Sequence, residues 1–231
     1  MSNPLVSVVM SVFNGDPYIH NAIDSILNQT FTNFEFIIIN DGSTDNSYNI
    51  IKEYAKIDSR IIYINQKNKG LTKSLNTGSK MAKGKYIARQ DADDISLLNR
   101  FEKQLFWLEK KGYDFCCSRA LLLKSNRIIP RYSYYFPDKF VSLFKNPYIH
   151  GTLIIRRDVI IEIGGYNERF IFSQDYKLVT ELLKRTVRIK YLKEPLYILG
   201  EDNNRISYKY LEQQKIYFQR VRYMQWKNLI N

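Results

Sequence analysis

The feature that most constrains this chain is the alternation of short apolar runs with stretches of helical spacing through its first half. Val6–Val12 (VSVVMSV), Phe34–Asn40 (FEFIIIN), Arg60–Asn65 (RIIYIN) and Lys85–Arg89 (KYIAR) predict strands. Between the first two, Ile19, Ala22, Ile23, Ile26 and Leu27 fall at helical spacing within Pro17–Gln29. Ser47–Tyr54 and Leu71–Ala82 predict two further helices. Strands that are apolar at consecutive positions must be covered on both faces. The pattern therefore predicts an α/β fold with a mostly parallel, doubly wound (Rossmann-like) sheet. In such sheets ligands bind beyond the carboxyl ends of the strands. Phe13-Asn14, Asp41-Gly42-Ser43 and Asp91-Ala92-Asp93 all follow predicted strands, so three polar clusters are expected to converge on one crevice.

After Leu97 the alternation changes. Helices are expected over Arg100–Lys110, Phe140–Lys145, Arg157–Ile163 (stopped by Gly164-Gly165) and Gln174–Arg185. Strands are expected over Tyr113–Lys124, Arg127–Tyr132, His150–Arg156 and Val187–Tyr191, a small antiparallel addition to the sheet. Tyr208–Asn231 reads as a basic, aromatic helix.

With 231 residues, 45% of them hydrophobic, the chain can bury a sizeable core. No apolar run is long enough to span a bilayer, and the N-terminal stretch reads as a strand rather than a signal peptide. The two cysteines, Cys116 and Cys117, are adjacent and unsuited to a disulfide with each other. No Cys/His spacing suggests zinc, and a reducing, cytoplasmic setting is expected. A net charge of +12 with 18 Tyr and 13 Phe suits nucleic acid, an anionic membrane surface or a phosphorylated small molecule, and charge alone does not choose.

The segment Arg89–Ser96 (RQDADDIS) narrows the choice. It sets Asp91, Asp93 and Asp94 within four positions of a basic chain, where like charges repel. One reading makes Asp93 or Asp94 the N-cap of the following helix. The other uses the ligand-binding edge. There, two carboxylates approach a hard cation, Mn²⁺ or Mg²⁺, whose shell is completed by waters and substrate phosphates.

Here the residues resemble a known family. The stretch from Val6 to Ser47, ending in NDGSTDNS, resembles the start of a family 2 glycosyltransferase of the type-A fold. NKGLTKSLNTGSKMAKGKYIARQDADD is similar to its middle, which ends in a D-x-D motif, and GGYNERFIFSQDYKLVTELLKR to the segment carrying its catalytic carboxylate. The resemblance runs from about Val6 to Ser207 and implies one catalytic domain over 1–207. Residues 1–95 would form the nucleotide-sugar-binding half, 96–207 the acceptor-binding half, and 208–231 a C-terminal helix.

The resemblance implies roles by position. Asp41 hydrogen-bonds the uracil of a UDP-sugar, with Ser11, Phe13 and Asn14 lining the base, although D-G-S-T-D also reads as a turn. Asp91, Ala92 and Asp93 meet the ribose and diphosphate. Asp93, helped by Asp91, ligates the metal. Lys73 meets a phosphate or lies on a solvated helix face, and Asn76 belongs to the same surface. Asp175 is the general base that deprotonates the acceptor hydroxyl in an inverting displacement, or else an N-cap. His150, Gly165 and Gln174 shape the acceptor and donor pocket. Two departures stand out: Gln174 occupies a position commonly held by Glu, and Leu199–Arg205 lacks a histidine that assists the metal. Glu201 or Asp202 is then the candidate third ligand.

The partners implied are a UDP-sugar and a glycan acceptor, lipid-linked, at the inner face of the plasma membrane, in O-antigen, capsule or lipopolysaccharide synthesis. Nucleic acid is not among them. The basic tail is expected to lie on an anionic membrane as an amphipathic helix, or else to pack on the catalytic core. The competing classes are a nucleotidyltransferase, for which no glycine-rich N-terminal loop is present, and a non-catalytic basic binding module, which leaves the strand-end carboxylates unexplained.

Overall fold

The computed structural model describes residues 3–200 and 210–230. The first strands form where the apolar runs predict them: β1 (Val6–Val12), β2 (Phe34–Asp41), β3 (Ile61–Gln66) and β4 (Tyr86–Asp91). All four run parallel, in the order β3-β2-β1-β4. Their connections are α1 (Ile19–Leu27), α2 (Ser47–Ile57) and α3 (Leu71–Met81).

Side chains along a strand point alternately to opposite faces. Val6, Val8, Met10 and Val12 of β1 pack with Phe36 and Ile38 of β2 and with Ile19, Ile23 and Ile51 of α1 and α2. Val9 of β1 packs instead with Ile37 and Ile39 and with Leu75 of α3. The sheet thus has a core on each face, which is why its strands are apolar at consecutive positions.

Beyond β4 the sheet continues through β5 (Ile95–Ser96), β6 (Phe115–Leu122), β7 (Ile128–Ile129), β8 (Ile154–Arg156) and β9 (Ile189–Leu199), in the order β4-β8-β6-β9-β5 with β7 beside β6. Here β8 runs antiparallel to β4 and β6, and β9 runs parallel to β6. Two helices, α4 (Arg100–Leu105) and α5 (Asp138–Val141), precede β8, and α6 (Arg157–Glu162) and α7 (Gln174–Leu183) follow it.

Several elements differ from expectation. The Arg100–Lys110 helix widens into a π turn over Phe106–Lys110. Residues His150–Thr152 form a 3₁₀ turn before β8 rather than strand. The strand expected to end at Tyr191 continues to Leu199 through Pro195, which is tolerated because the β6–β9 register shifts there. α6 ends as the paired glycines predict: Gly165 N–H donates to Ile160 C=O and Gly164 N–H to Ile161 C=O, each at 2.9 Å, a Schellman motif.

The C-terminal helix α8 (Leu211–Ile230) forms but does not stand apart from the domain. Val221 is fully buried, Tyr217 and Phe218 pack against Phe170 and Tyr176, and Arg222 Nε donates to Leu143 C=O at 3.1 Å. Its large apolar residues are spread around the helix instead of forming one stripe, so one side serves the core. No helix among the described residues is long and apolar enough to cross a membrane.

Candidate active site

The order β3-β2-β1-β4 places the strand-order reversal beside β1, so the loops after β1, β2 and β4 share one edge. The first two are tied together by side chains. Asn14, at φ 53°, donates its N–H to Ser43 Oγ at 3.0 Å and accepts the Thr44 N–H on Oδ1 at 2.8 Å. Gly15 and Asp16 N–H both donate to Ser47 Oγ. Phe13 is left 53% exposed beside this knot, a free aromatic face at the mouth of the crevice.

Asp41 is buried, and its carboxylate accepts from Gln66 Nε2 at 2.7 Å and from the Lys69 and Gly70 N–H groups at 2.9 and 2.8 Å. It therefore anchors the turn that starts α3. Gly42, next to it, has φ +76°, and a Cβ there would lie 2.7 Å from the Asn68 amide nitrogen, so only glycine fits.

The acidic triplet is kept together by three different surroundings. In β1–β4 pairing Asp91 lies beside Ser11, and its N–H donates to Tyr197 Oη at 3.0 Å. Its carboxylate forms an ion pair with Arg89, which is 2% exposed. Burial is the largest single influence and works against the Arg89 charge, but Asp91, Tyr166, Tyr197 and Asp94 together outweigh it, and the guanidinium is held above its ordinary range. Asp94 turns inward, accepting the Gly200 N–H at 2.8 Å. Asp93 stays half-buried at the rim beside Ala92. Gln90 braces the turn, donating to the Asp91 and Asp94 carbonyls at 3.0 and 2.9 Å. Neither Asp93 nor Asp94 caps a helix, because α4 starts only at Arg100, after Asn99.

Asp175 sits in the first turn of α7, where the helix macrodipole favours an acidic side chain. It is not the N-cap: Ser173 holds that position, in the left-handed conformation at φ 53°. Asp175 Oδ2 accepts from Asn146 Nδ2 at 2.8 Å. His150 links the two halves. Its Nε2 lies 2.7 Å from Tyr166 Oη, and burial, then Arg89, push its pKa down to about 4 against the pull of Asp175 and Asp91. The imidazole is therefore neutral at pH 7, and all four charged or polar groups lie within electrostatic reach of it.

Of the two residues expected on the α3 surface near the nucleotide, Asn76 is engaged by the Tyr166 loop and Lys73 is exposed. Asn76 is buried, and its amide holds Tyr166 on both sides: Nδ2 donates to the Tyr166 C=O at 2.9 Å and Oδ1 accepts the Tyr166 N–H at 2.8 Å. Lys73 lies on the exposed face of α3. Gly165 has φ +75°, and a Cβ would stand 2.7 Å from Asn76 Oδ1, so the glycine lets this loop close on α3. Gln174 is buried as the first residue of α7. Glu201 and Asp202 lie outside the described residues.

Arg89, Gln90, Asn146, Tyr166 and Tyr197 escaped the sequence reading. Arg89 carried a signal. A cation in a strand buried on both faces needs a partner, and residues two apart on a strand share a face, which points to Asp91. Gln90 acts locally, on Asp91 and Asp94, and the other three are brought in by long-range packing.

The family model described as "Glycosyl transferase family 2" matches residues 7–164. The chain is 34% identical over 191 residues to the O-antigen biosynthesis glycosyltransferase WbnJ of Escherichia coli, covering 81% of this chain and 75% of that protein. Among solved structures, S. aureus TarS 1–349 in complex with UDP superposes with a TM-score of 0.76 at 16% identity, over 95% of this chain and 64% of that one. The mannosyltransferase PcManGT from Pyrobaculum calidifontis, in complex with GDP-Man and Mn²⁺, gives 0.71 at 19% identity, over 93% and 61%. The chain thus spans less than two thirds of the length of either solved relative, and these likenesses carry the type-A fold. With the parallel sheet, the strand-end acidic turn and the matched family in agreement, the chain belongs to family 2 of the glycosyltransferases.

Proposed function

We propose that this protein transfers a sugar from a UDP-sugar to a glycan acceptor with inversion at the anomeric carbon. The observation that supports the reading is that Asp175 and Asp91, from distant segments, both act electrostatically on one ring, His150, which is held by Tyr166 at 2.7 Å. The acceptor hydroxyl oxygen attacks the anomeric carbon and its proton passes to the Asp175 carboxylate. The bond from that carbon to the diphosphate oxygen breaks, and UDP leaves with the electron pair. Asn146 fixes one carboxylate oxygen and leaves the other for the proton.

Asp93, with Asp91, is the pair that would hold Mn²⁺ or Mg²⁺. Their oxygens suit a hard cation that keeps waters and diphosphate oxygens in its shell. No group of three or more His, Cys, Asp or Glu side chains gathers among the described residues. When bound there, the metal would supply Lewis-acid stabilisation of the leaving diphosphate. Arg89 already neutralises part of the Asp91 charge, so Asp93 is the principal ligand. Phe13, Ser11 and Asn14 line the base.

The likeness to WbnJ supports an O-antigen or related surface-glycan setting; the proposal adds a lipid-linked acceptor at the inner face of the plasma membrane. A UDP-release assay over a panel of nucleotide sugars, with Mn²⁺ or Mg²⁺ and then with chelator, tests the reading. Metal-dependent release of UDP from at least one UDP-sugar is expected. Release of pyrophosphate from a sugar phosphate and UTP, with no UDP released from any donor, overturns it.

A further inference from the structure

The segment between β7 and the His150 turn exposes an unusual density of aromatic side chains. Tyr132, Tyr135, Phe136, Phe140 and Phe144 are between 48% and 64% exposed. They are not on a loose loop. Tyr134 stacks on Tyr191 at 6.1 Å, Val141 is buried, and Ser142 C=O accepts the Tyr176 hydroxyl. Arg222 of α8 holds Leu143 C=O, and Asn146 at the end of the segment holds Asp175. The outward aromatics are therefore presented by a backbone that is fastened to the catalytic helix.

The charges around them have one sign. Arg131, Lys139 and Lys145 are exposed, while Asp138, the single acid in 131–145, is drawn partly inward, where burial pushes its pKa up. A cleft of about 220 Å³ between α5, α7 and α8 is lined by Lys139, Lys184, Ser142 and Thr180. Lys139 neighbours the exposed Phe140 in sequence, so its cation opens beside the aromatic surface; Lys184 on the facing wall also pairs with Glu181 at 3.1 Å, and the Ser142 and Thr180 hydroxyls are buried and donate to the Lys139 and Lys177 carbonyls.

We infer that Tyr132–Lys145 is a membrane-docking surface whose occupant is an anionic phospholipid bilayer. The aromatics enter the interfacial region, and a headgroup phosphate sits in the Lys139–Lys184 cleft. Exposed aromatic rings beside cations suit a bilayer interface, where one end of the side chain is apolar and the other wet. Each cation near such a surface contributes about fivefold in partitioning. The segment, rather than the C-terminal helix alone, then sets the catalytic Asp175 at the membrane, where a lipid-borne acceptor is presented. This deepens the acceptor reading above and rests on it for its purpose, but its test needs no turnover.

The test is co-sedimentation with vesicles of phosphatidylcholine alone and with phosphatidylglycerol added, at low and high salt. The wild-type chain should bind the anionic vesicles and release at high salt. The Phe140→Ser/Phe144→Ser double variant should bind at least about tenfold more weakly, and Lys139→Glu about fivefold or more, with melting temperature and UDP release from a soluble donor unchanged. Failure of the wild type to bind anionic vesicles, or binding untouched by both variants, overturns the inference. So does a wild-type dimer in sedimentation velocity that the double variant dissociates, since the surface would then cover a second copy. Loss of UDP release in the wild type instead strikes the proposed function and leaves vesicle binding as a separate result.

Discussion

The donor-side loops and the acceptor-side segment are built in opposite ways. After β1, β2 and β4 the chain makes short turns whose polar groups answer one another: Asn14 with Ser43 and Thr44, Asp41 with Lys69 and Gly70, Gln90 with Asp91 and Asp94. Between β7 and β8 the chain carries a four-residue helix and two 3₁₀ turns and leaves Tyr132, Tyr135, Phe136, Phe140 and Phe144 exposed. A nucleotide diphosphate is the same polar object in every turnover, and a preorganised cage suits it. The lipid-linked glycan of the proposed function is larger and partly apolar, and an open aromatic surface suits that.

The sharpest way to separate the two regions is Asp175→Asn. The amide preserves size and the contact with Asn146 but cannot take the proton. Turnover should fall by at least about 10²-fold while UDP-sugar affinity, read by calorimetry, stays within about twofold. Equal losses in both would move Asp175 to the donor side.

Asp91→Asn and Asp93→Asn divide the acidic turn itself. Removing the Asp91 charge strands the buried Arg89 guanidinium and should cost about 3 kcal/mol of stability in urea unfolding. Asp93→Asn should cost under about 1 kcal/mol, yet abolish metal-dependent UDP binding. Comparable destabilisation by the two would mean that Arg89 does not depend on Asp91.

His150 sharpens the contrast through pH. Its folded pKa, about 4, lies below the unfolded value of 6.5, so the unfolded chain binds the extra proton between them. Stability from this group is thus fully present above pH 6.5 and lost as pH falls towards 4, about 3 kcal/mol over that window. Melting temperatures of wild type and His150→Gln should converge as pH drops from 7 to 4.5; parallel curves would remove His150 from the buried centre.

The smallest effect is expected at Gly165→Ala. A Cβ at φ +75° pressed on Asn76 should cost about 1–2 kcal/mol and loosen Tyr166. KM for the acceptor should then rise more than KM for the donor, and an equal rise in both would show that the loop serves the whole crevice.

What the sequence determined by itself is the parallel part of the sheet, β1 to β4. Runs such as FEFIIIN can be satisfied only by a strand covered on both faces, and the turns that end them are contiguous with the strands they close. Strand-end placement then followed for Asp41, Asp91 and Asp93. Tertiary structure decided what lies between distant segments. Tyr166 meets Asn76 across 90 positions, and Asp91 and Asp94 meet Tyr197 and Gly200 across 106 each. It gave Asn76 to a bracket instead of the nucleotide, and fastened α8 to the core through Val221, Tyr217 and Phe218. The reason is physical: periodicity and turn chemistry act between near neighbours in the chain, whereas a side-chain pair across the crevice exists only once the sheet has brought its two strands or loops together.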